Sequence, residues 1–165
     1  MKSTIVIYGS TTGTCQEFAE QIALKLGVSE VMSVADVVAD KLSEYDNLLL
    51  GTSTWGAGEL QDDWYDGVET LKSANLNGKT IALFGCGDAD GYGDTFCGGM
   101  AELYNAVKDS GVKLIGQVDA GTYHYDESEA VVDGKFIGLA LDCSESQEQS
   151  KARIDEWTDG IKSEL

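Results

Sequence analysis

Three short stretches hold most of the residues in this chain that could do chemistry. The first, Gly9-Ser10-Thr11-Thr12-Gly13-Thr14-Cys15-Gln16, follows the apolar run Ile5-Val6-Ile7-Tyr8 and offers hydroxyls and glycines without a lysine or arginine. If Thr12-Gly13-Thr14-Cys15 opens a helix, the unpaired N–H groups of its first turn and the helix dipole favour an anion. Ser10, Thr12 and Thr14 add neutral donors. Neither the Gly-Lys-Ser/Thr of a Walker A loop nor the G-x-G-x-x-G of a dinucleotide fingerprint is present, which argues against nucleoside triphosphate hydrolysis. Alone, the stretch fits equally well a capped helix start with no ligand, because Ser and Thr are common caps.

The second stretch, Thr52–Gln61, sets Trp55 between Thr54 and Gly56-Ala57-Gly58. A tryptophan among small residues reads as a flat platform for a ring, or as a side chain folded back on its own domain. The third, Gly85–Cys97, holds Tyr92 between Gly91 and Gly93. Its Asp88, Asp90 and Asp94 do not fit an EF-hand loop: glycine falls at the fourth position instead of the sixth, and the twelfth would be Gly99. His124 is the sole histidine, which argues against a Ser-His triad or a multi-histidine metal site and reads as a loop residue in solvent.

The elements that must position these stretches follow from hydrophobic pattern. Strand-like runs fall at Thr4–Tyr8, Glu30–Val34, Asn47–Thr52, Thr80–Cys86 and Leu114–Asp119. Helical spacing lies between them, as in Phe18, Ile22, Ala23 and Leu26, and again in Ile154, Trp157, Ile161 and Leu165. Apolar strands alternating with helices predict an α/β fold with a doubly wound, five-stranded parallel sheet covered on both faces. Ligands of such sheets sit beyond the carboxyl ends of the strands, where the loops after the first, third and fourth strands converge. Thr122–Gly138 breaks the rhythm: it is polar, carries Tyr123-His124-Tyr125 and the turn signal Val132-Asp133-Gly134, and reads as an insertion near the fifth strand, after which Phe136–Leu141 resumes a strand pattern.

Length and charge set further limits. The 165 residues predict one domain, 1–165, and the formal net charge of -18 disfavours nucleic acid and anionic membrane while favouring partners with basic faces. Met1-Lys2-Ser3 leads into too short an apolar run for a signal peptide, and no stretch approaches a membrane span. Cys15, Cys86, Cys97 and Cys143 lack C-x-x-C spacing and read as free thiols in a reducing cytoplasm.

Two aromatic residues opposite an anion loop imply a planar ring bearing a phosphate tail, and here the sequence resembles the flavodoxins, carriers that bind FMN non-covalently. Ser10-Thr11-Thr12-Gly13-Thr14 is similar to their phosphate loop, [ST]-x-T-G-x-T, except that Cys15 stands at its final position. Ser53-Thr54-Trp55-Gly56 resembles their first isoalloxazine loop. Cys86-Gly87-Asp88 with Tyr92, Phe96 and Cys97 resembles the second, and Thr122–Gly138 the extra loop of the long-chain subclass. The resemblance implies strand order 2-1-3-4-5. It also implies a low-potential one-electron carrier shuttling between semiquinone and hydroquinone, without substrate turnover of its own. Tyr92 is then expected on the outer face of the ring and Trp55 on the inner. The peptide after Trp55 is expected to turn its carbonyl to flavin N5, at low cost because position 56 is glycine. Asp88 and the Cys97 backbone are expected at the pyrimidine edge.

The missing cation then has a redox meaning. A unit charge ~10 Å from the flavin at an effective dielectric of ~20 interacts by roughly 1.7 kcal/mol, on the order of 70 mV for a one-electron couple, and a positive one would make the carrier a weaker reductant. A thiol at position 15 donates weakly, so FMN is expected to bind somewhat less tightly than with threonine, and Cys15→Thr to tighten it. Glu59, Asp62, Asp63, Asp90 and Asp94 are expected to steer basic docking faces. The family implies ferredoxin/flavodoxin–NADP reductase, pyruvate–flavodoxin oxidoreductase or nitrogenase as partners, and a monomeric state. An FMN-dependent NAD(P)H:quinone reductase shares these loops but turns over substrate. A passive flavin-storage protein would lack a stable radical, and a phosphorylation receiver would need an acidic pair where Tyr8-Gly9-Ser10 stands.

Overall fold

Residues Thr4, Ile5, Val6 and Ile7 are all buried, so the strand they form, β1 (Thr4–Gly9), is covered on both faces. The computed structural model describes residues 2–55 and 58–165 and, of Trp55, the backbone. β1 leads into α1 (Thr14–Leu26), which buries Ile22, Ala23 and Leu26 and keeps Phe18 half-buried. Gly27, left-handed at φ 73°, ends α1 by donating its N–H back to the Leu24 carbonyl. β2 (Val31–Ser33) is shorter than expected because Ser33 Oγ accepts the Ala35 N–H and turns Val34 into a single 3-10 turn. Then follow α2 (Ala39–Leu42), β3 (Asn47–Trp55), β4 (Glu59–Leu60), α3 (Asp63–Ser73), β5 (Thr80–Gly87), α4 (Gly98–Val107) and β6 (Lys113–Ile115).

The central strands run parallel in the order β2-β1-β3-β5, with Leu48 beside Ile5 and Ile81 beside Leu48. Alternate residues feed two cores, as the pleat requires. On one face Ile5, Ile7, Leu48, Leu50, Ile81 and Leu83 meet α3 and α4. On the other, Val6, Leu49, Ala82 and Phe84 meet α1 and the last helix. Gly51 stands opposite Phe84, and a Cβ there would lie 2.0 Å from the Phe84 ring, so β3 and β5 close only over a glycine.

The fifth strand position differs from the single run expected at Leu114–Asp119. β6 pairs with Thr80–Ala82 only. The chain then bends at Gly116 (φ 84°), whose carbonyl accepts the Trp157 indole N–H at 2.8 Å. β7 (Val118–Asp119), β8 (Val131–Val132) and β9 (Lys135–Phe136) form a separate antiparallel sheet in the order β7-β9-β8. Asp133 and Gly134, both at positive φ, make its two-residue hairpin turn. β10 (Leu139–Asp142) then returns to pair with Phe84–Gly87, completing the fifth position, and α5 (Gln147–Ile161) follows, its first turn capped by Ser146. The insertion thus divides one strand in two, and order 2-1-3-4-5 holds around it. Among the described residues no helix is long and apolar enough to cross a membrane.

Candidate functional site

The loops after β1, β3 and β5 meet at the carboxyl edge of the sheet around a cleft of about 220 Å³. Thr12 and Thr14 line it from the first loop, Ser53 and Thr54 from the second, and Cys86, Gly87, Asp88, Tyr92 and Phe96 from the third. Among the described residues no lysine, arginine or histidine lines it. The convergence follows from topology: parallel strands release all three loops at one edge, and the strand order reverses between β1 and β3.

The first loop is shaped by its own residues. Gly13 adopts φ 93°, which a side chain would strain, and donates its N–H to Ser10 Oγ at 3.1 Å. No side chain caps α1, so its first-turn N–H groups remain available to an anion. Ser10 and Thr11 are outside the lining: Ser10 holds the turn, and Thr11 Oγ1 accepts from Gln61 Nε2 at 3.1 Å. Cys15 is the position where a weak donor was expected. It is 1% exposed and packs in the core beneath α1, its thiol beside that of Cys86.

In the second loop β4 folds back on β3, pairing Thr54 with Leu60, a hairpin that the sequence pattern did not disclose. Thr54 Oγ1 accepts the Gly99 N–H at 3.1 Å, joining this loop to α4. The expected roles of the Trp55 ring and of the Gly56 peptide lie outside the described residues.

The third loop is held from several sides. Asp88 Oδ1 accepts the N–H groups of Asp90 and Gly91 at 3.1 and 3.0 Å, so this oxygen, expected at a ligand edge, closes the loop on itself. Asp142 Oδ1, at the end of β10, accepts the Ala89 N–H at 3.1 Å. Behind the loop the Gly93 carbonyl accepts from both Asp126 and Glu127, and Phe96 N–H donates to the Glu127 carbonyl. The Phe96 ring, 1% exposed, stacks on Tyr125 with centroids 5.8 Å apart and meets Phe136 edge-on, so it floors the cleft while belonging to the core. Tyr92 is 62% exposed at the rim. Cys97 takes a left-handed conformation (φ 53°) and buries its side chain, with both its backbone nitrogen and its Sγ packed close to Gly87.

Three residues near the cleft were not singled out by sequence. Cys143 lines it beside Cys86, where the end of β10 brings it. Its pKa is raised, first by the hydrogen bond with the Cys86 thiol and then by burial; burial likewise raises that of Cys97, so both stay neutral thiols. Thr95 lines the cleft with a buried hydroxyl that has no partner among the described residues. Gln61, 2% exposed, links the first two loops. The only available signal was its place at the start of α3.

Fold and cleft together define a doubly wound α/β protein with a cleft of hydroxyls, thiols and aromatic residues at the switch point of its sheet. Residues 6–157 match the flavodoxin family. The chain is 40% identical to a flavodoxin of Buchnera aphidicola over 169 residues, covering 100% of this chain and 97% of that protein. It is 36% identical to flavodoxin 1 of Escherichia coli over 100% of this chain and 96% of the relative. Among solved structures, Fusobacterium nucleatum flavodoxin bound to flavin mononucleotide superimposes with a TM-score of 0.92 at 32% identity, covering 100% of this chain and 99% of that one. The chain belongs to the flavodoxin family.

Proposed function

We propose that the cleft binds FMN non-covalently and that the protein is a low-potential one-electron carrier without substrate turnover of its own. One observation carries the reading: hydroxyls and free helix N–H groups at one end of a cation-free cleft, and an exposed tyrosine at the other. The Thr95 hydroxyl in the wall, without a partner among the described residues, fits a polar ligand. When bound, FMN supplies the site that stores single electrons.

The chain's own residues then divide the work. Thr12, Thr14 and the N–H groups of Thr14 and Cys15 hold the phosphate, with Ser10 fixing the turn through the Gly13 N–H and Thr11 standing beside it. Ser53, Thr54, Trp55 and Gly56 take one side of the ring. Cys86, Gly87, Asp88, Tyr92, Phe96 and the Cys97 backbone take the other, and Tyr92 excludes water from it. With no cation in the lining and a net charge of -18, an electron added here meets a negative field, which keeps the potential low. Exposed Glu59, Asp62, Asp63, Asp90 and Asp94 flank the ring loops and attract redox proteins with basic docking faces, of the flavodoxin/ferredoxin–NADP reductase, pyruvate–flavodoxin oxidoreductase or nitrogenase type. Residues 1–165 act as one FMN-binding unit, monomeric and cytoplasmic, in keeping with four free thiols.

The test is a visible spectrum of the FMN-loaded protein during stepwise anaerobic reduction. Two separable one-electron steps are expected. A single two-electron step, with NADPH oxidised in the presence of a quinone, would replace the carrier with a reductase, and failure to bind FMN would remove both.

A further inference from the structure

Gln61 is buried between the first and second loops, and its carboxamide is fully committed. Its Oε1 accepts the Asp63 N–H at 3.0 Å, which fixes the orientation of the amide. Its Nε2 then donates to Asp63 Oδ2 at 3.0 Å and to Thr11 Oγ1 at 3.1 Å. Its backbone N–H donates to Thr52 Oγ1 at 3.2 Å, at the root of the second loop. Gly9 lies against it: a Cβ there would stand 2.6 Å from Gln61 Oε1 and 2.4 Å from Trp64 Cδ1, so β1 can end over this side chain only as glycine.

The consequence for Thr11 is one of hydrogen bookkeeping. A hydroxyl has one hydrogen to give. With its oxygen accepting from Gln61, Thr11 keeps that hydrogen to donate, and an N–H···O–H chain polarises it towards an acceptor. Thr11 is exposed and lies beside Thr12 and the open N-terminus of α1. The other Gln61 hydrogen goes to Asp63 Oδ2, which anchors the carboxamide from the start of α3.

We infer that Gln61 is a positioning residue for the phosphate end of the cofactor site, holding Thr11 as a neutral hydroxyl donor to the FMN phosphate where no cation stands. The inference rests on the FMN reading above. It specifies an effect on the phosphate and none on the ring, so FMN and riboflavin separate it from a general structural role.

Apoprotein is titrated with FMN and with riboflavin, following flavin fluorescence. Gln61→Leu is expected to weaken FMN about tenfold, the size of a lost hydrogen bond to a charged group, and to leave riboflavin within about twofold. Thr11→Val, at an exposed position, is expected to reproduce the loss, and the double variant to add little to either single one. Parallel loss of FMN and riboflavin affinity in Gln61→Leu overturns the inference, as does unchanged FMN affinity in Thr11→Val, which decides the matter even if Gln61→Leu does not fold. Wild-type protein that binds neither flavin overturns the FMN reading and this inference with it; wild-type protein that binds FMN while both variants stay unchanged overturns the inference alone.

Discussion

The first and third loops of the cleft are held in opposite ways. Ser10–Thr14 is shaped within a few residues: Gly13 supplies the positive φ, Ser10 accepts its N–H, and Gln61 reaches in from a distance. Asp88–Cys97 is braced by residues far along the chain, with Asp142 on one flank and Asp126, Glu127, Tyr125 and Phe136 behind. The insertion is therefore packed onto the core side of the loop that carries Tyr92. It is fixed in turn by Arg153 of α5, whose guanidinium pairs with Glu145 at 2.8 Å, donates to the Thr122 carbonyl and lies 3.7 Å over the Tyr123 ring. A phosphate end built locally and a ring end built by tertiary contacts should respond differently to distant substitutions.

The largest effect is expected from Phe136→Ala. Phe136 is fully buried and touches the rings of Phe96, Tyr123 and Tyr125. Its loss is expected to cost about 3–5 kcal/mol in urea unfolding, and to weaken FMN and riboflavin together, because the ring loop loses its backing. Undiminished riboflavin binding would show that the third loop holds itself.

Arg153→Met keeps the stem but strands Glu145, and about 2 kcal/mol of stability should go. Since the guanidinium also secures Thr122, faster amide exchange across Thr122–Phe136 is expected, with protection in the first loop unaltered. Equal changes in both regions would erase the distinction.

Tyr123 gives a pH test. Burial, as the largest cause, raises its phenol pKa above the ordinary value of 10.0, and its O–H donates to the Ala140 carbonyl at 2.8 Å. The unfolded tyrosine ionises near ~10 while the folded one stays neutral. This contribution is therefore complete below ~10 and is lost as pH rises further. Tyr123→Phe is expected to cost about 1 kcal/mol at neutral pH and to flatten the decline of stability above pH ~10; an unchanged alkaline slope would assign that decline elsewhere.

The smallest effect sharpens the contrast. Ser10→Ala removes one local hydrogen bond and should lower stability by less than about 1 kcal/mol. FMN affinity is expected to fall a few-fold with riboflavin unmoved, the reverse of the Phe136→Ala pattern. Parallel loss of both flavins would make the first loop as dependent on its surroundings as the third.

What the sequence determined by itself was whatever depends on near neighbours. Buried apolar runs marked the parallel strands, and glycine with hydroxyls at the end of β1 marked a turn opening a helix, because a positive φ and a helix start are decided within one turn. Asp133-Gly134 announced its hairpin for the same reason. Only the tertiary structure decided matters of direction and distance. It turned Cys15 into the core, split the fifth strand around the insertion, and set Gln61 beneath the first loop. Spacing along a chain says which residues can share a face. Which partner fills a buried hydrogen bond, and which side chain packs behind a loop, depends on elements tens of residues away, and those meet only when the sheet is assembled.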